Sequence, residues 1–159
     1  YMSVCHNDFN PHNVIISEKT RNNVMEGSDF HRLIFSDEHC STNGIYIHFG
    51  LKNITVEKYF NKIKCCFDNN SINNQTISSI KSIEKMILNK FKNIQNRTLS
   101  CRIQEQLQNG FIKLYGDDNV RYGKQNEIHF LLKISGIWAS NQANDFGLTF
   151  RFFIFNNQF

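Results

Sequence analysis

Apolar and polar residues alternate most cleanly towards the C-terminal end of the chain. In EIHFLLKISGIW, Ile128, Phe130, Leu132, Ile134 and Trp138 alternate with His129, Lys133 and Ser135. In FGLTFRFFIF, Phe146, Leu148, Phe150, Phe152 and Ile154 alternate with Thr149 and Arg151. A period of two sends successive side chains to opposite faces of a strand, so these segments predict a hairpin across the loop ASNQAND. The same alternation predicts strands over HRLIF (31–35) and GIYIHFGL (44–51), where Ile45, Ile47 and Phe49 oppose Tyr46 and His48. TVEKYFNKIKCCFD places Tyr59, Ile63, Cys65 and Phe67 at period two against Lys62 and Lys64; it reads as one strand, with a helix as the alternative. GFIKLY (110–115) is a short strand that ends at the turn signal GDDN.

One segment switches period. Ile77, Ile80, Ile83, Ile87, Leu88, Phe91 and Ile94 fall within roughly 140° of a helical wheel, which predicts an amphipathic helix over 77–95 with Thr76 as its N-cap. The predicted order is therefore strands, one helix, then more strands, without the βαβ alternation of a parallel sheet. The fold expected is mainly β (α+β): an OB-like antiparallel Greek-key barrel with its helix between the third and fourth strands. An α+β sheet of another topology stays open. Residues 1–159 make one domain, with 1–30 as a loop-rich N-terminal segment in which Val14–Ile16 is the first strand candidate.

Composition changes this picture little. Apolar residues are 40% of the chain and 15 of them are phenylalanine, enough to build a core. The 22 asparagines reflect an AT-rich coding bias. The net charge of +4 is permissive of polyanionic partners. No apolar run reaches membrane-spanning length and no export signal is visible, so the expected location is intracellular, the nucleus or cytoplasm of a host cell if the protein is viral, and not secreted. Five irregularly spaced cysteines suit reduced thiols better than a disulfide framework.

Three short patterns resemble catalytic or metal sites. His6, Asp8 and Asn13 have the spacing of the catalytic loop of aminoglycoside and choline kinases, with Asp29-Phe30 following. Only five residues precede His6, and neither a glycine-rich phosphate loop nor an apolar metal-bearing strand accompanies the motif, so it reads as an Asn/Asp turn before Pro11. LYGDDN (114–119) has the Tyr-Gly-Asp-Asp form of viral polymerase turns without their upstream motifs, and reads as an acidic hairpin turn. The doublets Cys5-His6, His39-Cys40 and Cys65-Cys66 would point adjacent ligands to opposite faces, so no metal is expected. No cofactor and no enzymatic activity are expected.

Binding chemistry is the better expectation. A sequence-tolerant single-strand site needs cations for phosphates and flat rings for bases on one surface. The polar strand faces supply Tyr46, His48, Lys62, Lys64, Lys113, Tyr115, Arg121, Tyr122, Lys133 and Arg151, with Trp138 either a further platform or a core residue.

The segments FNPHNVIISEKTRNN, NGIYIHFGLKN and LLKISGIWASNQANDFGLTFRFF, above all Gly136 to Phe150, resemble OB-fold single-stranded-DNA-binding proteins of large DNA viruses. That group is related in fold to the replication-associated binding proteins of podovirus-type phages. The resemblance implies a non-catalytic protein that coats single-stranded DNA (RNA being the other candidate) in replication or recombination, with replication proteins or its own copies as further partners and no membrane. The phage proteins end in an acidic tail capped by an aromatic residue; here FNNQF keeps Phe159 but lacks the acids. The alternative class is a structural or assembly subunit of a virion or complex that uses its aromatic strand surfaces, and a third is a kinase-like phosphotransferase fragment.

Overall fold

A computed structural model describes residues 3–21, 28–115 and 120–155. The chain is mainly β. In order it forms β1 (Val4–Cys5), a 3-10 turn (Pro11–Asn13), β2 (Val14–Arg21), β3 (Ser28–Ser36), β4 (Ser41–Asn43), β5 (Ile45–Tyr59) and β6 (Lys62–Phe67). Then come α1 (Ser71–Lys90), α2 (Lys92–Gln95), β7 (Thr98–Ser100), α3 (Arg102–Gln108), β8 (Phe111–Tyr115), β9 (Gly123–Ser140) and β10 (Asp145–Ile154). The strands make one open, largely antiparallel sheet in the order β2-β3-β9-β5-β6-β8, with β10 on the other edge of β9. Among the described residues the short β1 and β7 pair in parallel, with β5 and β10, and a single parallel bridge joins Ile34 to Gly44. β8 comes near β10, but no ladder joins them among the described residues.

β9 organises the sheet. Its N-terminal two-thirds, Gly123 to Ile134, pairs with β5, its last five residues pair with β3, and β10 runs along its opposite edge. The exchange of partners occurs at Ser135-Gly136, where the register with β10 also shifts. Gly136 is required there, because a Cβ would collide with the His31 carbonyl and the Phe30 ring. The shift reverses the inward and outward alternation: Phe130, Leu132 and Ile134 belong to the core before it, and Ile137 and Ala139 after it. Simple period-two counting therefore assigns Trp138 to the wrong side of the sheet.

α1 lays Ile77, Ile80, Ile83, Ile87 and Leu88 against the inner face of the sheet, where they meet the buried side chains of β5 and β10. It begins six residues before the expected start. The Asn70 side chain accepts from the Asn73 N–H as the N-cap, whereas Thr76 lies inside the helix and donates back to the Ile72 carbonyl. Ile94, expected in the apolar stripe, is exposed; the helix breaks before it at Phe91, where φ −108° and ψ 8° leave helical values.

Two buried polar side chains fasten the helices. Asn73 accepts from the Lys52 N–H at 2.7 Å and donates to the Lys52 and Asp68 carbonyls, standing in for a strand neighbour on the free edge of β5. Glu84 accepts from the N–H groups of Ile103 and Gln104, both at 2.9 Å, so a carboxylate from α1 caps the first turn of α3. α3 itself, short and polar, was not expected from the sequence.

The N-terminal segment expected to be loop-rich holds β1, the 3-10 turn, β2 and the start of β3 instead. It is pinned along α1: the His6 Nδ1 lies 2.9 Å from Ser79 Oγ, and Lys90 Nζ donates to the Pro11 and Val14 carbonyls at 2.7 Å each. Burial, and the neighbouring His48, lower the His6 pKa against the opposing pull of Asp8. The kinase-like spacing here thus forms a turn, with the Asp8 N–H bonded to the Cys5 carbonyl and Asn10 capping the 3-10 turn. Of the LYGDDN stretch, residues 116–119 lie outside the described residues, as does Phe159.

Candidate functional site

The segment read as one strand is a hairpin, and this changes which side chains share a face. Tyr59 and Lys62 are the last paired residues of β5 and β6, so Phe60 and Asn61 alone form the turn. Crossing a two-residue turn puts Tyr59 directly opposite Lys62, on the outer face with Lys64, and not inward with Ile63, Cys65 and Phe67. No glycine or proline marks the turn.

A second irregularity lies upstream in β5. Ile45, Ile47, Phe49 and Leu51 are buried, then Ile54 and Val56 are, so the parity changes once. Asn53, with φ +56°, is the residue at which it changes. Tyr46, His48 and Gly50 before it, and Thr55, Glu57 and Tyr59 after it, consequently line one outer face from end to end of the strand.

Two groups of cations and rings occupy that face. At the hairpin end, Lys64 stands directly opposite Lys113 of β8. The Lys64 ammonium lies 4.6 Å from the centre of the Phe111 ring and 5.4 Å from that of Tyr59; Lys113 lies 5.3 and 5.4 Å from the same two rings. Two ammonium groups thus share two aromatic rings. The backbone of Lys62 pairs with that of Tyr115, whose side chain falls outside the described residues. Among the described residues neither Lys64 nor Lys113 has a carboxylate within 4 Å. Like charges directly opposite on neighbouring strands are unfavourable by a few tenths of a kcal/mol, so the fold gains nothing from the pairing itself.

The second group is the row Tyr46, Lys133 and Arg151 across β5, β9 and β10, in which Lys133 Nζ lies 5.7 Å from the Tyr46 ring centre. One step along, His48 stacks on Phe155 with ring centres 5.9 Å apart and accepts or donates at Ser3 Oγ, 2.9 Å away. Arg151 covers the half-exposed Phe153 at 5.3 Å. Each group therefore repeats one motif, a cross-strand pair of like cations beside aromatic rings.

The remaining expected residues lie elsewhere. Arg121 and Tyr122 sit just before β9, both exposed, beside a polar cleft of about 410 Å³ lined by Lys124, Gln125 and Glu127. Trp138 is 3% exposed and lies between Phe30 of β3 and Gly147 of β10, with the Arg102 guanidinium 4.3 Å above its ring. It presents no free face to a base. Tyr59, Phe60 and Phe111, by contrast, were not among the expected site residues. Phe111 could have been found from its two-residue offset from Lys113; Tyr59 could not, because its facing depends on the unmarked turn.

Other reactive groups are dispersed. Cys65 is buried while Cys66 faces outward, and burial, with Cys66 beside it, pushes the Cys65 thiol up to about 12. Among the described residues no three His, Cys, Asp or Glu side chains gather as a metal site, and no helix is long and apolar enough to cross a membrane. No known family model, curated protein or solved structure matches the chain.

Proposed function

We propose that this chain binds single-stranded nucleic acid, DNA in the first instance, along the outer face of its sheet, coating exposed strands in viral-type replication or recombination without catalysing a reaction. The observation that carries the reading is the Lys64–Lys113 pair set over the Tyr59 and Phe111 rings. Phosphates relieve the like-charge juxtaposition and bases stack on rings, so a single strand satisfies both halves of the arrangement. Tyr46, His48, Lys133 and Arg151 extend the tract towards the middle of the sheet, and Lys62 stands at its hairpin end, with Arg121 and Tyr122 outside it. An OB-like curl of the sheet belongs to the same reading; the approach of β8 to β10, and the place of α1 between the strands before and after it, support it.

The test is titration of a labelled oligothymidylate by the full chain. With four phosphates neutralised, affinity should fall about 50-fold between about 50 and about 200 mM salt. Replacing both Lys64 and Lys113 with alanine should weaken binding and flatten that salt dependence by nearly half. Absence of binding at low salt would sink the proposal. The assembly alternative is favoured by β2, which ends the sheet among the described residues with Ile15 half exposed. A stable oligomer in sedimentation that ignores the oligonucleotide would establish it.

A further inference from the structure

We infer that Phe60 is a stacking wedge at the end of the cationic tract, inserted between neighbouring bases of the bound strand; this rests on the single-strand reading above. The tip of the β5–β6 hairpin is built from Phe60 and Asn61 alone. Phe60 has φ +55°, a region in which Cβ crowds the backbone and where tight hairpins ordinarily place glycine or asparagine. A bulky residue held there needs a compensating contact, and the core supplies none, since Phe60 is 81% exposed. Among the described residues its ring meets that of Tyr59, edge-on at 4.9 Å and 78°. Tyr59 in turn lies beneath the ammonium groups of Lys64 and Lys113. The bare ring therefore begins a continuous path of contacts that leads to the paired lysines.

Charge selects the occupant. Lys58 and Lys64 lie on the two strands that lead to the tip and Lys113 on the next strand, against one acid in β5, β6 and β8, Glu57, which stands opposite Lys64. A partner that meets both this charge and a protruding flat ring carries regularly spaced anions with stackable faces between them. Single-stranded nucleic acid has that form. A ring entering a stack separates two bases and holds the strand in register over Tyr59.

The experiment uses the full chain and an oligothymidylate carrying one internal 2-aminopurine, with F60A and F60G as variants. The wild type should change the 2-aminopurine emission on binding, and both variants should abolish that change. Affinity should fall about tenfold in each, the equivalent of one lost base stack, with the salt slope unaltered because no phosphate contact is removed. F60G should melt no lower than the wild type, since glycine adopts the turn without strain. Tight binding with an unaltered emission change in F60A and F60G overturns the wedge and leaves the single-strand reading standing. Failure of the wild type to bind overturns both. Binding to phosphatidylserine vesicles that F60A abolishes, with oligonucleotide affinity unchanged, overturns the wedge in favour of a membrane contact.

Discussion

The inward and outward residues of β5 are built from different chemistries. Ile45, Ile47, Phe49, Leu51, Ile54 and Val56 enter one continuous core, while their outward neighbours include His48 together with Tyr46 and Tyr59, whose rings are set beside cations on β6, β8 and β9. The inner face follows the ordinary logic of burial, each side chain removing apolar surface from water. The outer face does not serve stability in that way, because it sets Lys64 opposite Lys113 and Lys133 opposite Arg151. One strand thus carries the fold on one side and the candidate binding chemistry on the other, and substitutions on the two sides should separate stability from binding.

The largest effect belongs to the inner face. Phe130 is fully buried, stacked at 5.5 Å on Phe49, in the strand that pairs with both β5 and β10. Phe130→Ala should cost about 3–5 kcal/mol, a large share of the roughly 5–15 kcal/mol that holds a domain together. Urea denaturation measures it. Whatever folded protein remains should bind oligonucleotide with wild-type affinity, and a parallel loss of binding by fully folded protein would break the separation of faces.

An intermediate effect comes from Glu84, the one fully buried carboxylate among the described residues. Burial raises the Glu84 pKa, the two N–H donors from α3 pull it down by less, and Glu105 adds to the rise while Lys85 opposes it. The folded state therefore holds the proton more tightly than the unfolded chain, and stability should increase as pH falls from the raised folded value to the ordinary value near 4.5. Asp37 and Glu127 have lowered values, from backbone N–H groups and from Lys52 respectively, and so titrate below that window. Glu84→Gln keeps an oxygen for the α3 amides and removes the titration. The lowered His6 value pulls the other way below 6.5, but equally in both proteins, so the melting temperature of the wild type minus that of Glu84→Gln should rise on acidification through this window.

Sequence pattern found the inner face better than the outer one. Alternation located the β9–β10 hairpin, the first half of β5, β8 and the apolar stripe of α1, because burial imposes a repeating demand on residue type. It lost phase wherever the backbone inserts an irregularity: at Asn53, at Phe60-Asn61 and at Ser135-Gly136. Each of these moves later side chains to the other face, which is why alternation places both Tyr59 and Trp138 inward. The asparagines ahead of the expected helix start misled in another way. Asn70 and Asn73 are respectively the helix cap and a buried bridge to Lys52 within the first turn of α1. Residue type alone does not distinguish a solvated asparagine from one that fills the hydrogen-bonding needs of a strand edge.

The smallest expected change in stability is the sharpest check on the outer face. Lys113 loses by its position opposite Lys64 and gains from the Tyr59 and Phe111 rings, to each of which its ammonium is more than 5 Å from the centre. The repulsion and the exposed cation–π contact are each about 0.5 kcal/mol and of opposite sign. Lys113→Thr removes both and places a good strand former on a half-buried position, so unfolding free energy should stay within about 0.5 kcal/mol of the wild type. Binding has no such cancellation, because the phosphate loses a cation outright. Oligonucleotide affinity should therefore drop several-fold at low salt, with the difference shrinking as salt screens the contact that was lost. A stability loss as large as that of Phe130→Ala would make Lys113 a structural residue, and unchanged affinity would leave the Lys64–Lys113 pair without the role that its geometry suggests.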